Sequence, residues 1–244
     1  CIEILRKLTK NSVSLIFADP PYFLSNDGIT CKAGRMVSVN KGKWDKSQGH
    51  EKDYDFTLSW LKSCKKVLKN EGSIWISGTL HNIYKNGFAL EKLAFDILNE
   101  IIWFKPNAPP NLSCKYFTHS HETLIWAKKN NGHKHIFNYN EMKNWENSSD
   151  KLHQKGKQMR TIWCIPVTPK SEKISGGHPT QKPLELLKRI ITACSDENDT
   201  IIDPFNGSGT TGIASYLLKR KYIGIDNDKK FLEMTKKRFK EIVQ

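Results

Sequence analysis

Two short stretches, far apart in the chain, carry residue types that could do chemistry together: Asp19-Pro20-Pro21-Tyr22, and the run Asp203-Pro204-Phe205-Asn206-Gly207-Ser208-Gly209-Thr210-Thr211-Gly212. In the first, two prolines fix φ at successive positions and remove two backbone donors. What remains is a carboxylate, proline carbonyls and an aromatic ring at a fixed offset, a set of acceptors beside a stacking plate. An exocyclic amino group on a nucleobase is a poor nucleophile because its lone pair is delocalised into the ring. Asp19 Oδ and the Pro20 carbonyl could each accept one of its N–H bonds and free the lone pair for attack. Tyr22 would then stack on a base withdrawn from its helix. Taken alone, the tetrapeptide suits equally an Asx-type turn that closes a buried strand.

The second stretch is a strand followed by a glycine turn and a helix start, and glycine lets a backbone approach a ligand closely. Tyr222-Ile223-Gly224-Ile225 then leads to Asp226, nineteen positions beyond Gly207. A carboxylate at that point of a βαβ unit suits a ribose diol. Gly207, Gly209 and Gly212 also satisfy G-x-G-x-x-G, so an NAD-dependent oxidoreductase is one reading. Against it, Asp203 places an anion just before the turn, where it would repel a pyrophosphate and favour a ligand bearing an ammonium and a sulfonium. The unit also stands near the carboxyl end and needs strands from earlier in the chain. A P-loop is excluded because no Lys-Ser/Thr follows the glycines.

The elements that must position these turns follow from periodicity. Ser14-Leu15-Ile16-Phe17-Ala18 is an apolar run of the kind covered on both faces, preceded by a short amphipathic helix within residues 1–12. Residues 23–53 are polar, with Lys32, Arg35, Lys41, Lys43 and Trp44 behind the first turn; the segment reads as a solvated loop or as a cover over a bound nucleotide. Tyr54 to Leu68 carries a helical stripe stopped by Lys69-Asn70-Glu71-Gly72. A strand at 73–78, a helix at 83–94 and strands at 97–104 and 122–127 imply a parallel sheet with an antiparallel hairpin at one edge. From Lys128 to Pro169 the periodicity fades into Lys, Asn, His, Gln and Trp, side-chain types that reach base edges and phosphates. Thr180, Gln181 and Lys182 precede Pro183, which suits the first turn of a helix through Leu184, Leu186 and Leu187.

With 39 Lys and Arg against 25 Asp and Glu, the chain of 244 residues carries +14 and should attract a polyanion, nucleic acid first. Its apolar fraction of 38% excludes a disordered chain, and no apolar run approaches a membrane span. The length suits one large α/β domain with an inserted lobe. The cysteines at 1, 31, 64, 114, 164 and 194 form no C-x-x-C pair and read as reduced thiols of a cytoplasmic protein. His119, His121, His133 and His135 form two H-x-H pairs, but they lack cysteine or carboxylate companions at ligand spacing. The stretch from Cys1 onward shows no basic n-region or small-residue cleavage site, so it does not read as an export signal.

Both turns, with His178-Pro179-Thr180-Gln181-Lys182-Pro183 between them, make the chain resemble the S-adenosylmethionine-dependent amino methyltransferases of DNA, in the motif order of their beta class. A closer similarity runs through Asp19-Pro-Pro-Tyr-Phe-Leu-Ser25, Val37-Ser38-Val39, Lys43-Trp44-Asp45-Lys46, Trp75-Ile76-Ser77-Gly78, His81-Asn82-Ile83-Tyr84 and Pro110-Asn111-Leu112-Ser113-Cys114. These residues resemble the accessory adenine methyltransferases of GATC-specific restriction systems, the DpnA type. The resemblance implies a bacterial, cytoplasmic enzyme that methylates N6 of a flipped adenine within GATC, on duplex DNA and on single strands; Asp19 in place of Ser favours adenine over the alternative, N4 of cytosine.

The implied fold is α/β, a Rossmann-like methyltransferase fold with a mixed, mostly parallel seven-stranded sheet, an antiparallel hairpin and a truncated first strand. Residues 1–127 would form the catalytic half, 128–169 an inserted target-recognition lobe, and 170–244 the cofactor-binding half. Asp19, Pro20, Pro21 and Tyr22 would be catalytic. Asp203, Phe205, Gly207, Ser208, Gly209 and Thr210 would line S-adenosylmethionine and Asp226 would hold its ribose, with Thr180, Gln181 and Lys182 near its methionine end. Neither a metal nor a membrane is implied, and the chain is expected as a monomer or a homodimer. Family members carry a strand ending in an acid ahead of the position of Cys1, so one cofactor contact has no counterpart in these residues.

Overall fold

All six residues of Val13–Ala18 (β1) are buried, and their side chains alternate between two cores. Val13, Ile16 and Ala18 join Leu5, Trp60, Leu61, Leu68 and Leu90 on one side. Leu15 and Phe17 join Trp75, Trp126, Leu187, Ile190 and Ile201 on the other. A strand packed on both faces has no polar side to show, which is why its sequence is a continuous apolar run.

The computed structural model describes residues 1–24, 29–32, 35–38, 42, 45–147, 149–173 and 180–243, with backbone alone for 29–32, 35–38 and 243. Ser25, Val39, Lys41, Lys43, Trp44, His178 and Pro179 therefore lie outside the described residues, as do the side chains of Lys32 and Arg35.

After β1 come Ile29–Lys32 (β2), Arg35–Ser38 (β3), Leu68–Gly78 (β4), Phe95–Phe104 (β5), His121–Lys129 (β6), Ile162–Cys164 (β7), Thr200–Asp203 (β8) and Lys221–Gly224 (β9). Strands β2 and β3 pair as a separate antiparallel hairpin inside the segment read as a polar loop. The other seven form one mixed sheet in the order β7-β5-β6-β4-β1-β8-β9. Strand β6 is antiparallel to both β4 and β5, while the β1–β4, β1–β8, β5–β7 and β8–β9 pairs are parallel. One sheet edge thus collects the carboxyl ends of six strands and the first residues of β6.

Helices Ile2–Lys7 (α1), His50–Val67 (α2) and Ile83–Lys92 (α3) contribute Leu5, Trp60, Leu61, Ile83 and Leu90 to the first core. Leu184–Cys194 (α5) and Thr210–Leu217 (α6) contribute to the second, while Tyr139–Lys143 (α4) precedes α5 and Lys229–Val243 (α7) ends the chain.

Three differences from the sequence reading have physical causes. Helix α2 begins at His50 rather than near Tyr54, because Asp53 organises the start: its carboxylate accepts from the Gln48 amide at 3.0 Å and from the Ser47 hydroxyl at 2.7 Å. Helix α2 does end before Lys69, but Lys69 to Gly72 belong to β4 rather than preceding a strand that starts at residue 73, and the pairing with β1 shifts register between Val13 and Leu15. A Cβ on Gly72 would lie 2.7 Å from the Ser14 carbonyl, so the glycine permits close strand approach at an irregularity. Finally, the β5–β6 hairpin is not the sheet edge. Strand β7, from the polar 128–169 segment, pairs outside it.

That segment is pinned to α5. Arg189, fully buried, holds Asp150 at 2.6 Å, Trp145 Nε1 donates to Glu185 at 2.8 Å, and Asn138 Nδ2 donates to the Thr192 carbonyl at 2.8 Å. No described helix is long and apolar enough to cross a membrane.

Candidate active site

Strands β1 and β8 are hydrogen-bonded neighbours, with Leu15 opposite Ile201 and Ile16 opposite Ile202. The residues that leave their carboxyl ends, Asp19 and Pro204, therefore emerge side by side. They open into one pocket of about 260 Å³, bounded by Asp19, Pro21, Thr180, Lys182, Asp203, Phe205, Gly207, Ser208, Thr210 and Asp226. The two chemistry-bearing turns, remote in sequence, share a single cavity.

The first turn is held from three sides. Asp45, with no exposed surface, accepts from the amides of Tyr22 at 2.9 Å and Phe23 at 2.8 Å through Oδ1, and from Leu24 at 3.1 Å through Oδ2. Asn82 Nδ2 donates to the Pro21 carbonyl at 3.2 Å while its Oδ1 accepts from the Thr79 amide. Phe23 takes a φ of 58°, a left-handed conformation unusual for an aromatic residue, so the amide bonds to Asp45 impose it.

Tyr22, the stacking residue of the sequence reading, is 6% exposed. Its hydroxyl lies 2.7 Å from Asp19 Oδ1, 2.9 Å from Ser77 Oγ and 2.9 Å from Glu122 Oε2. Lys182 completes the network with an ion pair to Asp19 Oδ2 and a second to Glu122 Oε2 at 3.5 Å, and its ammonium stands 5.4 Å from the Tyr22 ring centre. Lys105 bonds the other oxygen of Glu122 at 2.5 Å. Burial opposes ionisation of Glu122, but the ammonium groups of Lys182 and Lys105 outweigh it and hold the carboxyl well below the usual range. Burial likewise works against the Lys182 charge, yet Asp19 and Glu122 raise its pKa. Burial, then the charges of Asp19 and Glu122, push the Tyr22 phenol well above its ordinary value.

The second turn is built on Asp203. Its Oδ1 accepts from the Phe205 amide at 2.9 Å and its Oδ2 from the Thr211 hydroxyl at 2.6 Å. Burial nevertheless pushes its acid up to about 7, with Asp19 and Asp226 adding repulsion. Gly209 takes φ +75°, and a Cβ there would meet Thr235 at 2.4 Å, so no other residue fits. Asp226 accepts from the Gly207 amide at 2.8 Å and from the Asp228 amide at 2.9 Å, tying the end of β9 to the glycine bend.

Residues proposed from sequence are thus largely brought together, with differences of detail. Pro20 is buried behind the turn. Gln181 sends its amide to the Glu172 carbonyl at 2.8 Å and its neighbour Lys182 reaches the first turn rather than the glycine bend. Sequence reasoning missed Glu122 as a member of the site, and saw Asp45, Ser77 and Asn82 only as parts of shared motifs. Glu122 is the first charged residue of β6, and the inverted direction of that strand is what brings it to the edge where the other strands end. Among the described residues, no group of three or more His, Cys, Asp or Glu could hold a metal ion.

Residues 13–237 match the profile of a family described as DNA methylase, of the N6 and N4 type. The chain is 51% identical over 237 residues to the Type II methyltransferase M2.LlaDCHI of Lactococcus lactis subsp. cremoris, covering 97% of this chain and 85% of that protein. It is 50% identical over 242 residues to the Type II methyltransferase M2.MboI of Moraxella bovis, covering 99% and 86%. The fold is similar to that of the M1.HpyAVI–SAM complex, with a TM-score of 0.69 and 26% identity over 97% of this chain and 94% of that one. It is also similar to the cytosine-N4-specific PvuII DNA methyltransferase, with a TM-score of 0.73 and 19% identity over 98% and 83%.

Proposed function

Because this chain belongs to the DNA methylase family whose profile spans residues 13–237, we propose that it transfers a methyl group from S-adenosylmethionine to N6 of adenine in DNA, within GATC, as the accessory enzyme of a restriction-modification system. The observation that carries the reading is the shared cavity: Asp19 and Pro21 line the same pocket as Asp203, Gly207, Ser208 and Thr210. Identities of 51% and 50% to Type II methyltransferases, over 97% and 99% of the chain, support the assignment to restriction-modification.

The pocket suits the cofactor. Asp203, a buried acid held protonated to about pH 7, would ionise beside an ammonium or sulfonium. Asp226 uses its oxygens on two backbone amides and keeps lone pairs for a ribose diol. Phe17, Phe56, Phe205 and Phe231 line the apolar part of the cavity. When bound, S-adenosylmethionine supplies an electrophilic methyl group.

The chain's own residues prepare the nucleophile. Asp19 Oδ and the Pro20 carbonyl accept the two amino hydrogens of the flipped base, which aligns the nitrogen and stabilises the positive charge that arrives on it. For Asp19 to accept them, Lys182 turns from Asp19 to Glu122, already 3.5 Å away. Tyr22, fixed through Asp45 and Ser77, supplies the ring against which the base is held. Residues 128–169 carry target recognition, and the substrate includes single strands, which need no flipping.

Incorporation of tritiated methyl groups into oligonucleotides tests this directly. Transfer to GATC-containing strands that is lost when the adenine is replaced is the expected result. Transfer to adenine-free oligonucleotides containing cytosine would establish N4 chemistry instead. A melting temperature raised by NAD and not by S-adenosylmethionine would end the methyltransferase reading.

A further inference from the structure

Between β5 and β6 the chain makes an excursion over residues 106–120, and both stems of this loop stand in the network around Tyr22. Lys105 Nζ bonds Glu122 Oε1 at 2.5 Å, and Glu122 Oε2 accepts from the Tyr22 hydroxyl at 2.9 Å. The Lys105 amide donates to the Ser120 carbonyl at 2.7 Å and closes the base.

The loop has internal structure. Asn111 is its hub: Nδ2 donates to the Tyr116 carbonyl at 2.7 Å, Oδ1 accepts from the Ser113 amide at 3.0 Å and hydroxyl at 2.8 Å, and the Asn111 amide donates to Thr118 Oγ1 at 3.3 Å. Asn107 Oδ1 accepts from the Val167 amide at 3.1 Å, and Pro106, Pro109 and Pro110 stiffen the first stem. This framework holds two adjacent aromatic side chains out of the protein, Tyr116 at 62% and Phe117 at 97% exposed. Lys115 is exposed beside them. The rings add nothing to either core, and adjacent aromatics displayed on a braced loop mark an interaction site.

Chemistry selects the partner. The chain carries +14, lysines stand at the stem and the tip of the loop, and the stem touches the residues that handle the base. Turning a base out of a duplex leaves a gap whose neighbours have lost a stacking partner, and an inserted apolar side chain offsets that loss. We propose that Phe117, backed by Tyr116, enters the duplex beside the target base and stacks on the bases that the flipped nucleotide leaves exposed. The inference rests on the DNA-methylation reading above and adds a step that a single strand does not need.

The test compares methyl transfer to a duplex and to a single strand of the same sequence. Phe117→Ala should melt at the wild-type temperature, since the side chain packs against almost nothing. Its kcat/KM on duplex should fall by about tenfold or more, the effect of losing one aromatic stack, with the single-strand value changed by less than about twofold. Phe117→Trp should retain duplex activity, and Phe117→Leu, which keeps apolar bulk without a ring, should fall between. The fluorescence rise of 2-aminopurine at the target position on duplex binding should shrink in Phe117→Ala. Equal losses on both substrates, or no loss on duplex, would overturn the proposal, as would a wild-type enzyme active on single strands alone. A wild-type enzyme that methylates neither form would instead bring down the function reading itself.

Discussion

Lys182 and Asp19, 163 positions apart in the chain, meet as an ion pair between the ammonium nitrogen and Oδ2. The lysine thereby covers the carboxylate that an amino group of the target base would use, and Glu122 stands ready to receive it. Asp19 and Glu122 are matched by Lys182 and Lys105, so a neutral base can reach Asp19 only by exchanging partners within the network.

Asp19→Ala should therefore separate chemistry from cofactor binding. Methyl transfer should drop by about 10²-fold or more, the usual cost of removing a preorganised electrostatic contact, while S-adenosylmethionine still raises the melting temperature. Single-turnover transfer together with thermal melting checks both halves; unchanged transfer would remove Asp19 from the mechanism.

Replacing Glu122 by Gln leaves Lys105 and Lys182 buried with one carboxylate fewer. At pH 7 this should cost about 2–4 kcal/mol, toward the lower end for a buried pair because Asp19 still faces Lys182. Since the folded protein lowers this pKa from 4.5, the Glu122 contribution is present above that value and is lost as pH falls below it. Urea midpoints of the two proteins should converge as pH falls from about 5 to about 2.

Asp203 works in the opposite direction. Its pKa is raised to about 7, so in the ligand-free protein its contribution to stability is full below 3.8 and is lost as pH rises through 7. A cationic ligand favours the ionised form, so S-adenosylmethionine affinity should strengthen by up to about tenfold per pH unit below 7 and level off above. Titrations of wild type and Asp203→Asn between pH 5.5 and 8.5 would show it; the variant should bind weakly and without that rise.

The Arg189–Asp150 pair holds the polar segment to α5 with neither partner exposed. Asp150→Ala should destabilise the fold by about 3 kcal/mol, because it leaves the buried guanidinium between Trp163 and Trp145 with only Glu185, 3.9 Å away, as a counter-charge. Adding Arg189→Met should recover a good part of that loss, which denaturant unfolding of the single and double variants can measure.

The two turns were legible because each concentrates its signal in a few adjacent residues: prolines behind a carboxylate at 19–22, glycines behind another at 203–212. The sheet was legible for a related reason, since burial on both faces leaves long apolar runs. Glu122, Asp45 and Asn82 were not, because each serves the first turn from another element, and nothing near them in sequence marks that role. Glu122 in particular depends on the direction of β6, a tertiary property. The start of α2 escaped because His50, Glu51, Lys52 and Asp53 carry no apolar stripe, and the start of β4 escaped because its glycine serves strand approach rather than a turn.

The pairing of β1 with β8 fixes the separation of the Asp19 and Asp203 turns by the spacing between adjacent strands, about 4.8 Å. Nothing in that ruler depends on the loops proposed above to meet DNA. On the proposed function, exchanging those loops would retarget the enzyme to a new nucleotide sequence and leave its reacting span unaltered, which would give lineages and protein engineers the same freedom.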